Sequence, residues 1–265
     1  MHLRDSPCHC YVVLPLATKE SLSSMDYPYL LLDAGGTLVF PDPDLIAQTA
    51  AAEGSLLDPE RVYEAHFQQL HQFDACLRAA SELPPYSLRE FFTNLMTLAG
   101  APIDAAECAA DTLLARHEAV SLWTYTKPWV PETLTALKAD GIRMAVISNS
   151  DGRVRKHLED CGIAQFFDAI FDSHLVGFEK PDARLFLHAL NGLGLKAEET
   201  LYVGDFYHFD VLGANGAGIG AVHLDPLGKY AEWPGVHLRD IRALPAFIAE
   251  LRSDPDRFDL FPVAP

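Results

Sequence analysis

Three short apolar runs, far apart in the chain, each end abruptly at a polar residue or a turn: Tyr29–Asp33 ahead of Ala34-Gly35-Gly36, Ile142–Ser148 ahead of Asn149, and Thr200–Val203 ahead of Gly204-Asp205. Runs of this length without polar alternation are the pattern of strands buried on both faces. Two further short runs, 169–171 and 219–224, repeat it. Helical patterns lie between and after them: Pro131–Asp140 stopped at Gly141, Val154–Cys161 stopped at Gly162, Ala183–Leu193, and Ile241–Leu251. Strands alternating with helices predict an α/β fold with a Rossmann-like, doubly wound parallel sheet.

From Pro41 to Lys127 the alternation gives way to helices alone. Asp42-Pro43 and Asp58-Pro59 each place an N-cap ahead of a proline at the first helical position, while Ser87 with Glu90 and Asp104 with Glu107 have capping-box spacing. Four helices are expected there. The chain therefore divides into an irregular extension over 1–28, a core made of 29–41 and 128–252, a helical cap over 42–127, and an acidic tail over 253–265 that reads as a surface strap or a disordered segment. Met25, just ahead of the first strand, is a plausible alternative start. Cys8-His9-Cys10 matches no standard zinc spacing, and the apolar stretch Tyr11–Ala17 is broken by Pro15, which makes a poor signal peptide.

Charge and composition narrow the partners. A formal net charge of −17 repels a polyanion, and no basic cluster offsets it, so nucleic acid is excluded as the expected partner. A small anion remains possible, because one lysine and one divalent cation can make a pocket positive inside an acidic envelope. No run approaches the ~18 apolar residues needed to span a bilayer. Five scattered cysteines do not form a disulfide framework, which predicts a reducing, cytoplasmic setting.

In open α/β sheets, ligands bind beyond the carboxyl ends of the strands. Asp33, Ser148 with Asn149, Lys180, and Asp205 with Asp210 all fall there. Taken singly, each reads as a turn former, a helix cap or a surface lysine. Their shared order and topology is what turn chemistry does not predict.

The segments LLLDAGGTLVF, VISNS, GFEKPDARLF and VGDFYHFDVLGANGAG resemble, in order, the four motifs of the haloacid dehalogenase superfamily, in its branch with a helical cap inserted after the first motif. The resemblance covers about residues 29 to 225. It implies a Mg²⁺-dependent hydrolase of phosphatase type acting on a small phosphorylated metabolite. Asp33 would be the nucleophile and form an aspartyl intermediate. Asp33, the Gly35 carbonyl and Asp205 would hold the ion, with Asp210 orienting that shell. Ser148 and the backbone N–H of Asn149 would bind oxygens of the transferred group, Lys180 would neutralise charge, and Thr37 would brace the loop.

One position departs from the pattern. Phosphatases of this superfamily carry a second Asp two residues after the nucleophile, and here that residue is Gly35. Its carboxyl would protonate the leaving oxygen and activate water, work generally worth ~10²–10⁴-fold. Three outcomes are open. Another donor could act, such as Asp42, Asp44, His66 or His71; the leaving group could need no proton, as with aryl or acyl phosphates or a halide; or the protein could bind a ligand or partner without turnover. A Schiff-base phosphonate chemistry is disfavoured, since no lysine lies between Pro41 and Thr126. Arg78, Tyr86, Arg89, Trp123 and Tyr125 are the cap residues available for substrate contact.

Overall fold

A computed structural model describes residues 29–79 and 87–261. Cys8-His9-Cys10, Met25 and Tyr86 lie outside them. Strands β1 (Tyr29–Leu32), β4 (Arg143–Ser148), β5 (Ala169–Asp172), β6 (Thr200–Gly204), β7 (Gly220–Leu224) and β8 (Val236–Leu238) form one parallel sheet in the order β5-β4-β1-β6-β7-β8.

Strand periodicity sends successive side chains to opposite faces, and both faces here are covered. Leu30 and Leu32 join Val130, Leu134, Leu158 and Phe247 on one side. Tyr29 and Leu31 join Leu185, Phe186 and Val211 on the other. Leu30, Leu31 and Leu32 are each 0% exposed, which explains why this run has no polar alternation. Each such leucine contributes ~1.5–3 kcal/mol of burial. Central β1 pairs with both β4 and β6, so the chain reverses its direction of travel across the sheet there. That reversal is the topological switch point at which open sheets form a crevice.

The insert consists of α1 (Pro43–Ala52), α2 (Pro59–Ala79), α3 (Leu88–Ala99) and α4 (Ile103–Ala119). It has its own core, with Ile46, Val62, Phe92, Leu95, Met96 and Leu113 fully or almost fully buried. Asp42 caps α1 by accepting from the N–H groups of Asp44 and Leu45, and Ser87 and Glu90 form a reciprocal capping box at α3. The expected box at Asp104 and Glu107 does not form. Pro102 is the N-cap of α4 and no side chain caps it, because the helix begins at Ile103 and Asp104 lies inside its first turn.

Entry and exit of the insert run through one ribbon, in which β2 (Phe40–Pro41) pairs antiparallel with β3 (Trp123–Tyr125). Thr126 secures it by donating to the Leu38 carbonyl at 2.7 Å. The core resumes with α5 (Trp129–Ala139), two residues earlier than the proline at 131 suggested. It continues through α6 (Val154–Asp160) and α7 (Ala183–Leu193) and closes with α8 (Leu244–Ser253). Beyond α8 the chain packs as a strap: Leu260 is buried, and its carbonyl accepts from the Ala221 N–H at 3.0 Å.

Candidate active site at the strand ends

Asp33 follows β1 directly, and its N–H still donates to the Val203 carbonyl of β6 at 2.9 Å. The main chain then turns sharply. Gly36 has φ 84°, and a Cβ there would lie 1.9 Å from Asp205 Oδ2 and 2.6 Å from His66 Nε2. Both conformation and space demand glycine at that point. Thr37 completes the turn by donating from Oγ1 to Asp205 Oδ1 at 3.1 Å, so the hydroxyl ties the first loop to the end of β6.

Asp33, Asp205 and Asp210 each offer an oxygen, and these three atoms lie within 4.8 Å of one another. All three residues are buried. An all-oxygen set of this size fits a hard divalent ion such as Mg²⁺ and lacks the nitrogen and sulfur donors a softer metal prefers.

Lys180 reaches into the cluster from the segment after β5. Its Nζ lies 2.5 Å from Asp33 Oδ1 and 2.7 Å from Asp210 Oδ1, and it also contacts the Tyr202 hydroxyl at 3.1 Å. Burial works against the ammonium, but Asp210 and Asp33 outweigh it and raise its pKa, so it stays charged. Burial pushes the Asp33 carboxyl well above the usual carboxylate range; Lys180 opposes that, and Asp210 and Asp205 reinforce it. With all three carboxyls ionised, one ammonium leaves two unbalanced negative charges, which a divalent cation would cancel.

Ser148 closes β4, is buried, and faces a recess shared with Ala34 and Gly35 of the first loop. The neighbouring Asn149 side chain grips the lysine segment from both sides: Nδ2 donates to the Lys180 carbonyl at 3.0 Å, and the Lys180 N–H donates to Oδ1 at 2.7 Å. Tyr202, absent from the sequence-based set, donates from its buried hydroxyl to Asp210 Oδ1 at 2.9 Å. Its place inside an apolar strand gave no sign of this. Burial holds that phenol far above its ordinary pKa, so it remains a donor.

The insert reaches the same site. His66, on α2, lies with Nε2 3.3 Å from Asp205 Oδ2. Eight residues along the helix, Asp74 is 1% exposed and accepts from the N–H groups of Tyr207 and His208 and from the Tyr230 hydroxyl. Those two N–H groups belong to the turn between Asp205 and Asp210, so α2 contacts the acidic loop twice. The other suggested donors are elsewhere. Asp42 is engaged as a helix cap, Asp44 is exposed, and His71 packs edge-on to Tyr230 with ring centres 5.0 Å apart. Arg89 is paired with Asp111 on the insert, and Arg78 lies over the Trp233 ring at 5.0 Å.

A cavity of about 260 Å³ opens beside the first loop. Its walls combine Ala34, Gly35, Ser148 and Asn149 of the core with Leu88, His117 and Trp123 of the insert and ribbon. Tyr125 is not among its walls and instead packs with Phe40 and Phe67.

A family model for haloacid dehalogenase-like hydrolases matches residues 27–218. The chain belongs to that family. Among haloacid dehalogenase-like relatives, glyceraldehyde 3-phosphate phosphatase of Methanothermobacter thermautotrophicus is 43% identical over 98 residues, 36% of this chain and 42% of the relative. The haloacid dehalogenase-like hydrolase domain-containing protein 3 of Mus musculus is 32% identical over 185 residues, 65% of this chain and 70% of the relative. The chain spans about half the length of the glyceraldehyde 3-phosphate phosphatases it matches: 42%, 53% and 58%. The solved structure of HAD-hydrolase YfnB from Bacillus subtilis bound to magnesium superposes with a TM-score of 0.56 at 20% identity, covering 84% of this chain and 99% of that one. That likeness concerns the haloacid dehalogenase-like fold alone.

Proposed function

We propose that this chain is a Mg²⁺-dependent phosphohydrolase that cleaves a small phosphorylated metabolite through an aspartyl phosphate on Asp33. The observation that carries the reading is the convergence of Asp33, Asp205 and Asp210 within 4.8 Å, with Lys180 between two of them. Phosphatase names among the relatives, for glyceraldehyde 3-phosphate and phosphoserine, support the same class.

Asp33, Asp205 and Asp210, with the Gly35 carbonyl, would hold Mg²⁺, which would supply charge neutralisation and orientation of phosphoryl oxygens. The chain's own groups do the rest. Ser148 Oγ and the Asn149 N–H bind oxygens of the transferred group, and Lys180 offsets the repulsion between Asp33 and an anionic substrate. A carboxylate oxygen of Asp33 bonds to phosphorus as the bond to the leaving oxygen breaks. Water then attacks phosphorus, the bond between phosphorus and the Asp33 oxygen breaks and regenerates the carboxylate, and phosphate departs with the proton of the water passing to solvent. The insert, seated through α2, excludes bulk water from the crevice.

Among the described residues no helix is long and apolar enough to cross a membrane. The free thiols Cys76, Cys108 and Cys161 suit a reducing compartment, and we place the protein in the cytoplasm.

The test is hydrolysis of aryl, acyl and alkyl phosphates with and without Mg²⁺, using Asp33→Asn as blank. Asp33-dependent, Mg²⁺-dependent release of phosphate is expected. Gly35 favours a second reading, a module that binds a phosphorylated ligand or a partner without turnover; loss of all Asp33-dependent activity alongside retained ligand binding would select it. Release of halide from haloacids, with no activity on phosphates, would select dehalogenation.

A further inference from the structure

The position that lacks its carboxyl is not open to solvent. A Cβ on Gly35 would lie 3.2 Å from Nε1 and 3.6 Å from Cδ1 of Trp123, so the indole stands where the missing side chain would begin. Trp123 is fixed there by the ribbon and by ring contacts with Phe91, Phe92 and His117, with centres 5.6–6.0 Å apart. The cavity of about 260 Å³ starts at this indole and runs to Ser148 and Asn149, flanked by Val39, Leu88 and Val154. Ser148 and Asn149, which would hold the transferred phosphoryl group, line one end of that space and Trp123 the other, so a leaving group extending from phosphorus has room along it.

The polar groups on the cavity wall are poor acids. Asp151 accepts from Arg153 at 2.5 Å, which holds its carboxyl below the usual range and therefore ionised. Burial lowers the pKa of His157 and of His117, leaving neutral imidazoles. The Trp123 N–H can donate a hydrogen bond, but it has no proton to transfer at accessible pH. Among the described residues lining it, the cavity thus offers apolar and aromatic surface around the indole N–H, with Ser148, Asn149, Ser150 and two imidazoles as neutral hydrogen-bonding groups and no carboxyl or imidazolium poised to give up a proton.

Building on the phosphohydrolase reading, we infer that this cavity selects aryl phosphates, whose planar leaving group packs against Trp123 and departs as a stabilised aryloxide. The bond between phosphorus and the aryl oxygen breaks with its electron pair remaining on that oxygen, and solvent protonates the aryloxide after release. A pocket just under the size of drug-binding sites accommodates a single ring or a small fused system. Aromatic pairing adds to simple burial of the ring. An alkyl ester has neither advantage, since its alkoxide needs a general acid and none lines the cavity.

Two measurements test this. In the first, kcat/KM is measured for phosphate esters spanning phenols of rising pKa, simple alkyl esters, and acetyl phosphate as a good leaving group without a ring. Rates are expected to fall steeply with leaving-group pKa, alkyl esters to be slower by at least ~10²-fold, and acetyl phosphate to show a high KM. Equal rates for alkyl and aryl esters overturn the inference while leaving the phosphatase reading intact. The second needs no turnover: with Mg²⁺ present, affinities for phenylphosphonate and methylphosphonate are measured by calorimetry for wild type, Trp123→Ala and Leu88→Glu. Wild type is expected to favour the phenyl ligand by about tenfold or more, and both variants to lose that preference. Leu88→Glu guards against misfolding, because an acidic residue is favourable in the first turn of α3. A wild-type protein with no preference, or variants that keep it, overturns the inference even if no substrate is hydrolysed.

Discussion

The Tyr230 hydroxyl of the core donates to Oδ2 of Asp74 on the insert across 2.7 Å. With the N–H groups of Tyr207 and His208, three donors meet one carboxylate. Burial nevertheless dominates, and the Asp74 pKa is pushed up to about 7. The sign follows directly. A carboxyl whose folded pKa is raised penalises the folded state once ionised, so the penalty is absent below 3.8 and complete above about 7. Stability of wild type relative to Asp74→Asn should therefore fall as pH rises through that window, by at most roughly 4 kcal/mol. Urea unfolding of both proteins from pH 4 to 8 measures it, and a difference that stays flat with pH would contradict this account.

Gly36 and Gly35 are adjacent but should respond differently to a methyl group. In Gly36→Ala the added Cβ meets Asp205 Oδ2 at 1.9 Å at a φ of 84°, whereas in Gly35→Ala it meets only the Trp123 indole, at 3.2 Å. Stabilisation by Mg²⁺, read as a shift in Tm, should disappear in Gly36→Ala and persist in Gly35→Ala.

Lys180 holds two buried carboxylates together, at 2.5 Å and 2.7 Å. Lys180→Met leaves both without a cation and should cost about 3–5 kcal/mol in metal-free buffer. Saturating Mg²⁺ should recover part of that loss. Comparable unfolding midpoints for variant and wild type without metal would show that the pair is not held as described.

Restoring the missing carboxyl tests the crowding at Gly35. Gly35→Asp should raise alkyl phosphate turnover, and more strongly in combination with Trp123→Phe, which removes the indole nitrogen from the approach at 3.2 Å. A gain approaching ~10²-fold is expected for the pair. Equal, negligible effects of the single and double variants would locate the deficit elsewhere.

The central strands were legible because each is a local apolar run with an abrupt stop, and the motif residues sit at those stops. Lys180 was legible by its order among the motifs, although nothing local distinguishes it from a surface lysine. By contrast, β8 comprises only Val236–Leu238, within a stretch rich in turn residues, and pairs solely at the sheet edge with β7. The β2–β3 ribbon was equally hidden, since its two halves are a few residues each and lie on either side of four helices. Asp74 reads as an ordinary polar position of an amphipathic helix; its partners lie 133, 134 and 156 residues away, beyond any periodicity. Trp123 stood out as an available aromatic, but only the fold places it against Gly35.

The chamber beside Gly35 belongs wholly to neither half of the molecule. Leu88, His117 and Trp123 come from the insert and its ribbon, while Ala34, Ser148 and Val154 stay with the sheet. Any swing of the helices about the ribbon would split the walls apart, opening the strand ends and dissolving the recess in one stroke. On the phosphohydrolase reading, recognition of the departing fragment and shelter from solvent would then be a single event, and a ligand too bulky to let the two halves meet would be turned away before any bond is strained.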